Sequence, residues 1–573
     1  MGVSILSPST RNFDVIIAGS GASGLATAVT CQLLGFRTLV AEASDLLGGS
    51  TALSGGVLWV PGNPFRKAIP EAEDLADALA YIQAESRQYY DQEAAEAFVS
   101  SAGAAVAFLG EHGGLAYTGP NFWPDYHPTL QGSREGGRSM RVQDFDGRLL
   151  GDLFPKLRPP LPSMTLFGGM MVSGNDLYHL LRARRSLASA WHVCKILARH
   201  CLDRLSHPRG TRLCNGNALA ARLLHRYRQL GGDIATSTAL IDITREGDRI
   251  TGCQLRGADG VREHYRCRAL VLAGGGIGVN HDLRRSLGNE GSLPAVNSLS
   301  LVPSSNRGDN LRAAMEVGAR IDRRQHDIAA WVPVSAVSTG DGDSPGYFPH
   351  FFDRSKPGFI MIDEHGKRFV NEASSYHDIG SRMKQLGLRF AYILCDHRAL
   401  RRYGVGVVPP GTLRLSSWIR SGYLIRASSI VALARQIGVD NDTLQTTLAN
   451  YNAHAVAGRD PTFKKGETPY ELYIGDPDHH PNPCVAPIGS TPLYAVRVEL
   501  GDIGTFCGLA TKPTGEVIDS EDLVIEGLYA VGNDRASVFG GTYPAAGITL
   551  GPALAHGVKV AHHIAGRDWP PAA

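Results

Sequence analysis

Gly19-Ser20-Gly21-Ala22-Ser23-Gly24 is a GxGxxG run between a short apolar segment, DVIIA at 14–18, and an amphipathic stretch reaching about residue 34. The apolar run is β-branched and lacks a helical period, as expected of a buried parallel strand. A second strand at 37–41 ends at Glu42. A dinucleotide needs these parts in this order. The glycines admit the pyrophosphate, the helix N-terminus offers free N–H groups and a positive dipole, and the acid bonds ribose hydroxyls. Gly19, Gly21, Ala22, Ser23, Gly24, Glu42 and Ala43 are the candidate contacts. A second small-residue run at 48–56, GGSTALSGG, is long enough to follow a cofactor toward an isoalloxazine ring. It favours FAD over NAD and adds Gly49, Ser50, Thr51, Ser54, Gly55 and Gly56 as candidates. A third run, GGTYPAAG at 540–547, packs one phenol, Tyr543, among three glycines, a proline and two alanines. Its composition suggests a backbone that something approaches closely, with one side chain left for chemistry.

Two further segments look like parts of the same nucleotide domain. One is the strand ALVLA at 269–273 before Gly274-Gly275-Gly276, giving Ala273, Gly274 and Gly275 as candidate contacts. The other is LYAV at 528–531 before Asn533 and Asp534, with Thr549 and Leu550 at the start of an expected helix. The cofactor domain is therefore discontinuous. The expected fold class is α/β: a Rossmann-like FAD-binding domain at 1–290 and 491–573, with an inserted α+β substrate/catalytic domain at 291–490. The active site is expected at the junction, where such clefts usually form.

One insertion, about 180–210, differs in character. Over 180–205 apolar residues fall at Leu187, Trp191, Cys194, Leu197 or Ala198, Cys201 and Leu205, with Arg182, Arg184, Arg185, Lys195, Arg199 and Arg204 largely elsewhere on the wheel. This reads as one basic amphipathic helix. It could lie at a membrane interface and give access to a lipid-soluble substrate, or pack on its own protein with a solvated basic face.

Composition limits the function classes. Hydrophobic residues at 43% and charged residues at 20% are ordinary for a globular protein, while 67 glycines in 573 residues exceed the usual share of about 7%. That excess points to tight turns and close backbone approach. A formal charge of +2, with no Lys/Arg run, gives no reason to expect nucleic acid. Nine scattered cysteines, never spaced CxxC, argue against a disulfide framework or a metal site and for a reducing compartment. Neither a signal peptide nor a membrane-spanning apolar run is visible, so the expectation is a cytoplasmic protein, with peripheral membrane contact through 180–205 as the open question.

The motifs together resemble the fumarate reductase and succinate dehydrogenase flavoprotein superfamily, and within it the 3-ketosteroid 1-dehydrogenases. The resemblance runs from about 14 to 566. It is carried by GGSTALSGGVLWVPGN at 48–63, WPDYHPTLQGSREGGRSM at 123–140, GKRFVNEASSYHDIG at 366–380 and LYAVGNDRASVFGGTYPAAGITLGPALAHG at 528–557. The dicarboxylate reductases place a histidine and an arginine where this chain has Tyr543 and Gly547, and their proton-donating arginine where it has Tyr376. A dianion would meet few of the arginine contacts that favour it. The run at 48–56 also lacks the histidine that carries covalent flavin, which implies noncovalent FAD.

Phenols and a backbone N–H suit a neutral ketone. Desaturation beside a ketone removes an α-proton and a β-hydride, and the developing enolate needs donors facing its oxygen. Tyr543 O–H and Gly547 N–H would supply them. The resemblance implies that Tyr376 takes the C2 proton, that Tyr126 bonds to it and relays the proton onward, and that flavin N5 accepts hydride from C1. It also implies a ketosteroid substrate and an external, quinone-like electron acceptor. The helix after Gly547 could present its N-terminus to the flavin pyrimidine edge.

His127 and His377 read as surface histidines beside those tyrosines, and Trp59, Trp123 and Trp331 as either cleft lining or core. Ala545 and Ala546 stand where the family commonly has glycine and proline, and Arg535 is larger than the resemblance implies. The rival readings are a 4-ene (5-alpha) steroid dehydrogenase or other cyclic-ketone desaturase, a fumarate reductase-like flavoprotein, and a noncatalytic electron-transfer subunit.

Overall fold

The structure, a computed structural model, describes residues 11–66, 69–119, 123–183, 186–287, 299–337 and 346–570. Five parallel strands make the centre of its larger sheet, in the order Val524–Ala530, Arg262–Leu272, Asn12–Ala18, Thr38–Ala41 and Asp233–Ala235. Side chains alternate across a strand. Val15 and Ile17 therefore enter a core shared with helices Ala22–Leu33, Asn215–Gln229 and Leu550–Ile564, while Ile16 enters another with Leu240, Leu270 and Trp331. Both faces are covered, so the strand is apolar throughout. Val15, Ile16 and Ile17 are each 0% exposed, a burial that stabilises the fold by about 1.5–3 kcal/mol per side chain.

Register sets the cofactor edge. Ala18 lies level with Leu272 on one side and with Ala41 on the other. The turns at Gly19, Glu42 and Ala273 thus leave the sheet together, at the carboxyl edge where open α/β sheets bind ligands. An antiparallel pair, Ala239–Glu246 and Arg249–Arg256, is added beside Arg262–Leu272, and Glu516–Ile518 closes the far edge.

The second sheet is built on Leu493–Thr505, which pairs antiparallel with Ala329–Val337 and Ala391–Asp396. Gly346–Pro349 and Phe359–Ile362 flank these. Its faces carry separate cores, Ile393 and Val496 on one and Leu394 and Ala495 on the other. The break expected at 490/491 is therefore misplaced: Leu493–Thr505 is the middle strand of the second sheet, and the chain rejoins the nucleotide sheet only at Glu516–Ile518. The break expected at 290/291 falls outside the described residues.

The expected single helix over 180–205 is two helices, Gly174–Arg182 and Leu187–Asp203. Ser186 starts the second by accepting a bond from Ser189 N, a helix-start signal inside the segment. Arg184 and Arg185 lie outside the described residues. The second helix turns Ser189, Ile196, His200 and Asp203 inward. Its apolar side faces outward instead, with Leu187 91%, Trp191 72% and Leu202 67% exposed, and Leu205, just past its end, 84% exposed. No described helix is long and apolar enough to cross a membrane.

Candidate active site

A cavity of about 440 Å³ runs from the carboxyl edge of the nucleotide sheet to the second sheet. All the expected cofactor contacts line it except Gly24. A Cβ at Gly24 would fall 2.2 Å from Gly19 O, so this glycine serves the packing of helix on strand. Gly21 differs: a Cβ there would meet only Thr51 Oγ1, at 3.7 Å, which leaves its backbone open to a ligand. Glu42 is held by Ser20 N and Oγ (3.0 and 2.6 Å) and by Ser44 N (2.9 Å).

Asp534 lines the cavity and has a structural role besides. Its carboxylate accepts bonds from Gly274 N (2.6 Å), Gly276 N (2.8 Å) and Asn310 Nδ2 (2.8 Å), so it ties the turn after Val524–Ala530 to the glycine loop. Asn310 also donates to Ala18 O (3.0 Å), and Asn306 to Gly275 O (3.0 Å) and Ser50 Oγ (3.2 Å). Neither asparagine carries a sequence signal, because each acts through a fold contact far along the chain. An open glycine backbone, an acid at the second strand and a helix N-terminus at one edge fit an adenine dinucleotide flavin.

At the other end three phenols meet. The Tyr376 ring centroid lies 5.1 Å from that of Tyr543 and 6.0 Å from that of Tyr126, and Tyr126 stacks on Tyr543 at 6.0 Å. Both neighbouring phenols act on that of Tyr376 and disfavour its ionisation. All three rings and Gly547 line the cavity. Gly547 has φ +98°, and a Cβ there would come within 2.6 Å of Trp59 N. It must therefore be glycine because strand Val57–Trp59 presses on it, a stronger constraint than the ligand approach expected from sequence. Ala546 lines the cavity, whereas Ala545 packs in the core.

The sequence positions these groups by buried polar ties. Tyr376 is the first residue of helix Tyr376–Gln385, capped by Ser375, and Gly380 brings that helix against Trp331, where a Cβ would lie 2.4 Å from the indole's own Cβ. The preceding turn is fixed by Arg368, which bonds Glu372 (2.9 Å) and Asp460 (2.8 Å), and by Arg354, which donates to Ser374 O (2.8 Å). Tyr126 N and Tyr81 Oη both donate to Pro544 O at 2.8 Å, stitching the PDYHP loop to the YPAAG loop. Asp125 accepts from Trp59 Nε1 and Arg138 Nη1, each 2.9 Å, in a buried cluster. Trp59 and Trp331 are thus core residues, and only Trp123 lines the cavity.

Burial raises the Tyr376 and Tyr126 phenols well above their ordinary range, reinforced by the neighbouring phenols. Burial also pushes Tyr543 up to about 12, partly offset by the neighbouring hydroxyls of Tyr376 and Thr549. Of the two histidines only His377 is buried; His127 is partly exposed. His127 is bracketed by Asp378 (2.8 Å) and Glu85. Burial opposes its charge, but these carboxylates outweigh it and hold the imidazolium well above the usual histidine range. His377 is 4% exposed and accepts from Trp331 N at 3.1 Å.

Two residues outside the expected set stand at this end. Tyr470 packs on Tyr126 with centroids 4.4 Å apart. Arg141 lines the cavity with its guanidinium 4.5 Å over the Trp123 ring and its Nε buried without an acceptor. Arg141 directly follows the 123–140 motif, and no spacing marks it.

The FAD binding domain family matches residues 14–550. The chain is 33% identical to 4-oxocyclohex-2-ene-1-carboxylate 5-dehydrogenase of Sinomonas cyclohexanicum, over 96% of this chain and 93% of that one. It is 31% identical to 3-oxosteroid 1-dehydrogenase of Mycolicibacterium smegmatis, over 97% of each. Its fold is similar to that of the 3-ketosteroid delta1-dehydrogenase from Sterolibacterium denitrificans in complex with 1,4-androstadiene-3,17-dione, with a TM-score of 0.90 and 34% identity over 97% of this chain and 100% of that one.

Proposed function

The chain belongs to the 3-oxosteroid 1-dehydrogenase family of FAD-dependent oxidoreductases, and on that premise we propose that it introduces a 1,2 double bond beside the carbonyl of a 3-ketosteroid. The meeting of three phenols and one glycine backbone at the substrate end of the cavity carries this reading. Tyr543 O–H and Gly547 N–H donate to the carbonyl oxygen and stabilise its charge as the C2 proton leaves. Tyr376 takes that proton. Because burial makes a standing phenolate costly, Tyr376 passes its own proton toward Tyr126 as it accepts the new one. Gly19–Ala22, Glu42 and the 48–56 run hold FAD noncovalently, and FAD when bound supplies the two-electron acceptor for the hydride leaving C1. We place the ketone against an inserted domain built on the second sheet. Turnover of a 3-ketosteroid saturated in ring A tests the regiochemistry: a 1-ene product supports the reading, and a 4-ene product moves it to the 5-alpha dehydrogenase activity.

A second reading, desaturation of a smaller cyclic ketone, is favoured by the similarity to the Sinomonas enzyme. Its carbonyl chemistry is the same. Reoxidation falls to an external, quinone-like acceptor. We assign the outward apolar side of Leu187–Asp203, with Lys195 and Arg204 exposed beside it, to contact with an anionic lipid surface, where the leucines and Trp191 enter the headgroup boundary and the cations meet phosphates. The site lies close by: Leu177, in the first helix of this pair, lines the cavity and is 47% exposed.

A further inference from the structure

We propose that Arg141 binds a carboxylate on the substrate, and that the ketone this enzyme handles in the cell is therefore an acid. The inference rests on the cyclic-ketone reading above and narrows its substrate class. Among the described residues lining the cavity, Arg141 is the only cation. The groups that favour its charge are Tyr473 and Cys214, neither of them a carboxylate, and burial works against that charge. A guanidinium in such a place costs free energy unless an anion meets it. Trp123 covers one face of the guanidinium, which leaves its edge for a bidentate carboxylate. Room is kept as well: helix Gly174–Arg182 starts with a glycine whose Cβ would sit 3.0 Å from Arg141 Nη1.

The spacing fits a ring. Ser139 and Arg141 share one face of strand Ser139–Val142, and Ser139 Oγ donates to Ala546 O at 3.0 Å, beside the carbonyl-binding Gly547. Two residues along a strand cover about 6.6 Å, comparable with the span from a ring carbonyl to a carboxylate on the opposite carbon. Two kinds of molecule present this chemistry, a small oxocyclohexane acid and a ketosteroid with an acidic side chain.

The test uses holoenzyme with 4-oxocyclohexanecarboxylate, a 3-oxo steroid acid, and the methyl ester of each. The wild type is expected to favour one acid over its ester, and which acid identifies the source. In Arg141→Gln the KM for that acid should rise about 10- to 100-fold, the range for lost hydrogen bonds to a charged group, while KM for the ester and the FAD content stay unchanged. Arg141→Lys should recover part of the loss. Equal effects on acid and ester, loss of FAD, or a wild-type preference for the esters would overturn the proposal. Binding, read as perturbation of the flavin spectrum, separates the two claims: failure to oxidise any ketone defeats the cyclic-ketone reading, whereas acid binding that survives in Arg141→Gln defeats this one.

Discussion

A buried phenol is a reluctant base, and the site's chemistry depends on how that reluctance is overcome. Tyr376 and Tyr126 are held above their ordinary range chiefly by burial, with Tyr126 and Tyr543 adding to the rise of Tyr376, and Tyr470 and Tyr543 to that of Tyr126. The competent, proton-poor form of the cluster therefore gains population as pH rises. The rate of reduction of bound FAD by ketone should climb from neutral pH to at least about 10, and stopped-flow pH profiles check this; a rate that falls across the same range would remove the phenols as the base. In the proposed mechanism Tyr543 has a separate task. Tyr543→Phe keeps the ring packing and deletes the donor, so FAD content should hold while turnover drops about 10²- to 10³-fold. Steady-state kinetics with flavin quantitation decide it, and unchanged turnover would exclude Tyr543 from carbonyl stabilisation.

Loops and helices bring these residues together, and here sequence and structure part. Glu42, the 48–56 run and Tyr376 were legible because each belongs to a local pattern: strand-turn-helix, small-residue run, motif. Asn310 and Arg141 were not, since their meaning comes from partners distant along the chain. Asp534 shows the intermediate case: its sequence context marks it as a candidate contact, but not the bonds by which it holds the glycine loop at 274–276. Asp534→Ala should leave three buried donors unpaired and release FAD on gel filtration, with the apoprotein still folded by circular dichroism; retention of a full complement of flavin would contradict this role. The helix Leu187–Asp203 was read correctly as amphipathic but not as two helices, because Ser186 supplies a cap that the wheel ignores. Trp191→Glu with Leu205→Glu should abolish sedimentation with phosphatidylglycerol vesicles and leave the thermal midpoint unchanged, as both side chains are exposed. Undiminished sedimentation would rule out this face.

Over the whole molecule, one sheet provides the edge with the glycine turns and the other backs the helix that begins at Tyr376, and the cavity is lined from both sides. The parallel sheet could be read from its apolar strands, whereas the place of Leu493–Thr505 could not, because a strand's local pattern does not say which sheet it joins. The fold explains how residues more than 400 positions apart, Tyr126 and Tyr543, come to stack. The central claim is that this arrangement removes a proton and a hydride from adjacent carbons of a cyclic ketone. Anaerobic mixing of the holoenzyme with androst-4-ene-3,17-dione, and in parallel with 4-oxocyclohexanecarboxylate, tests it most directly. The account predicts that at least one ketone bleaches the flavin absorbance and yields a product lighter by one pair of hydrogens. Flavin that stays oxidised with every ketone supplied would contradict it.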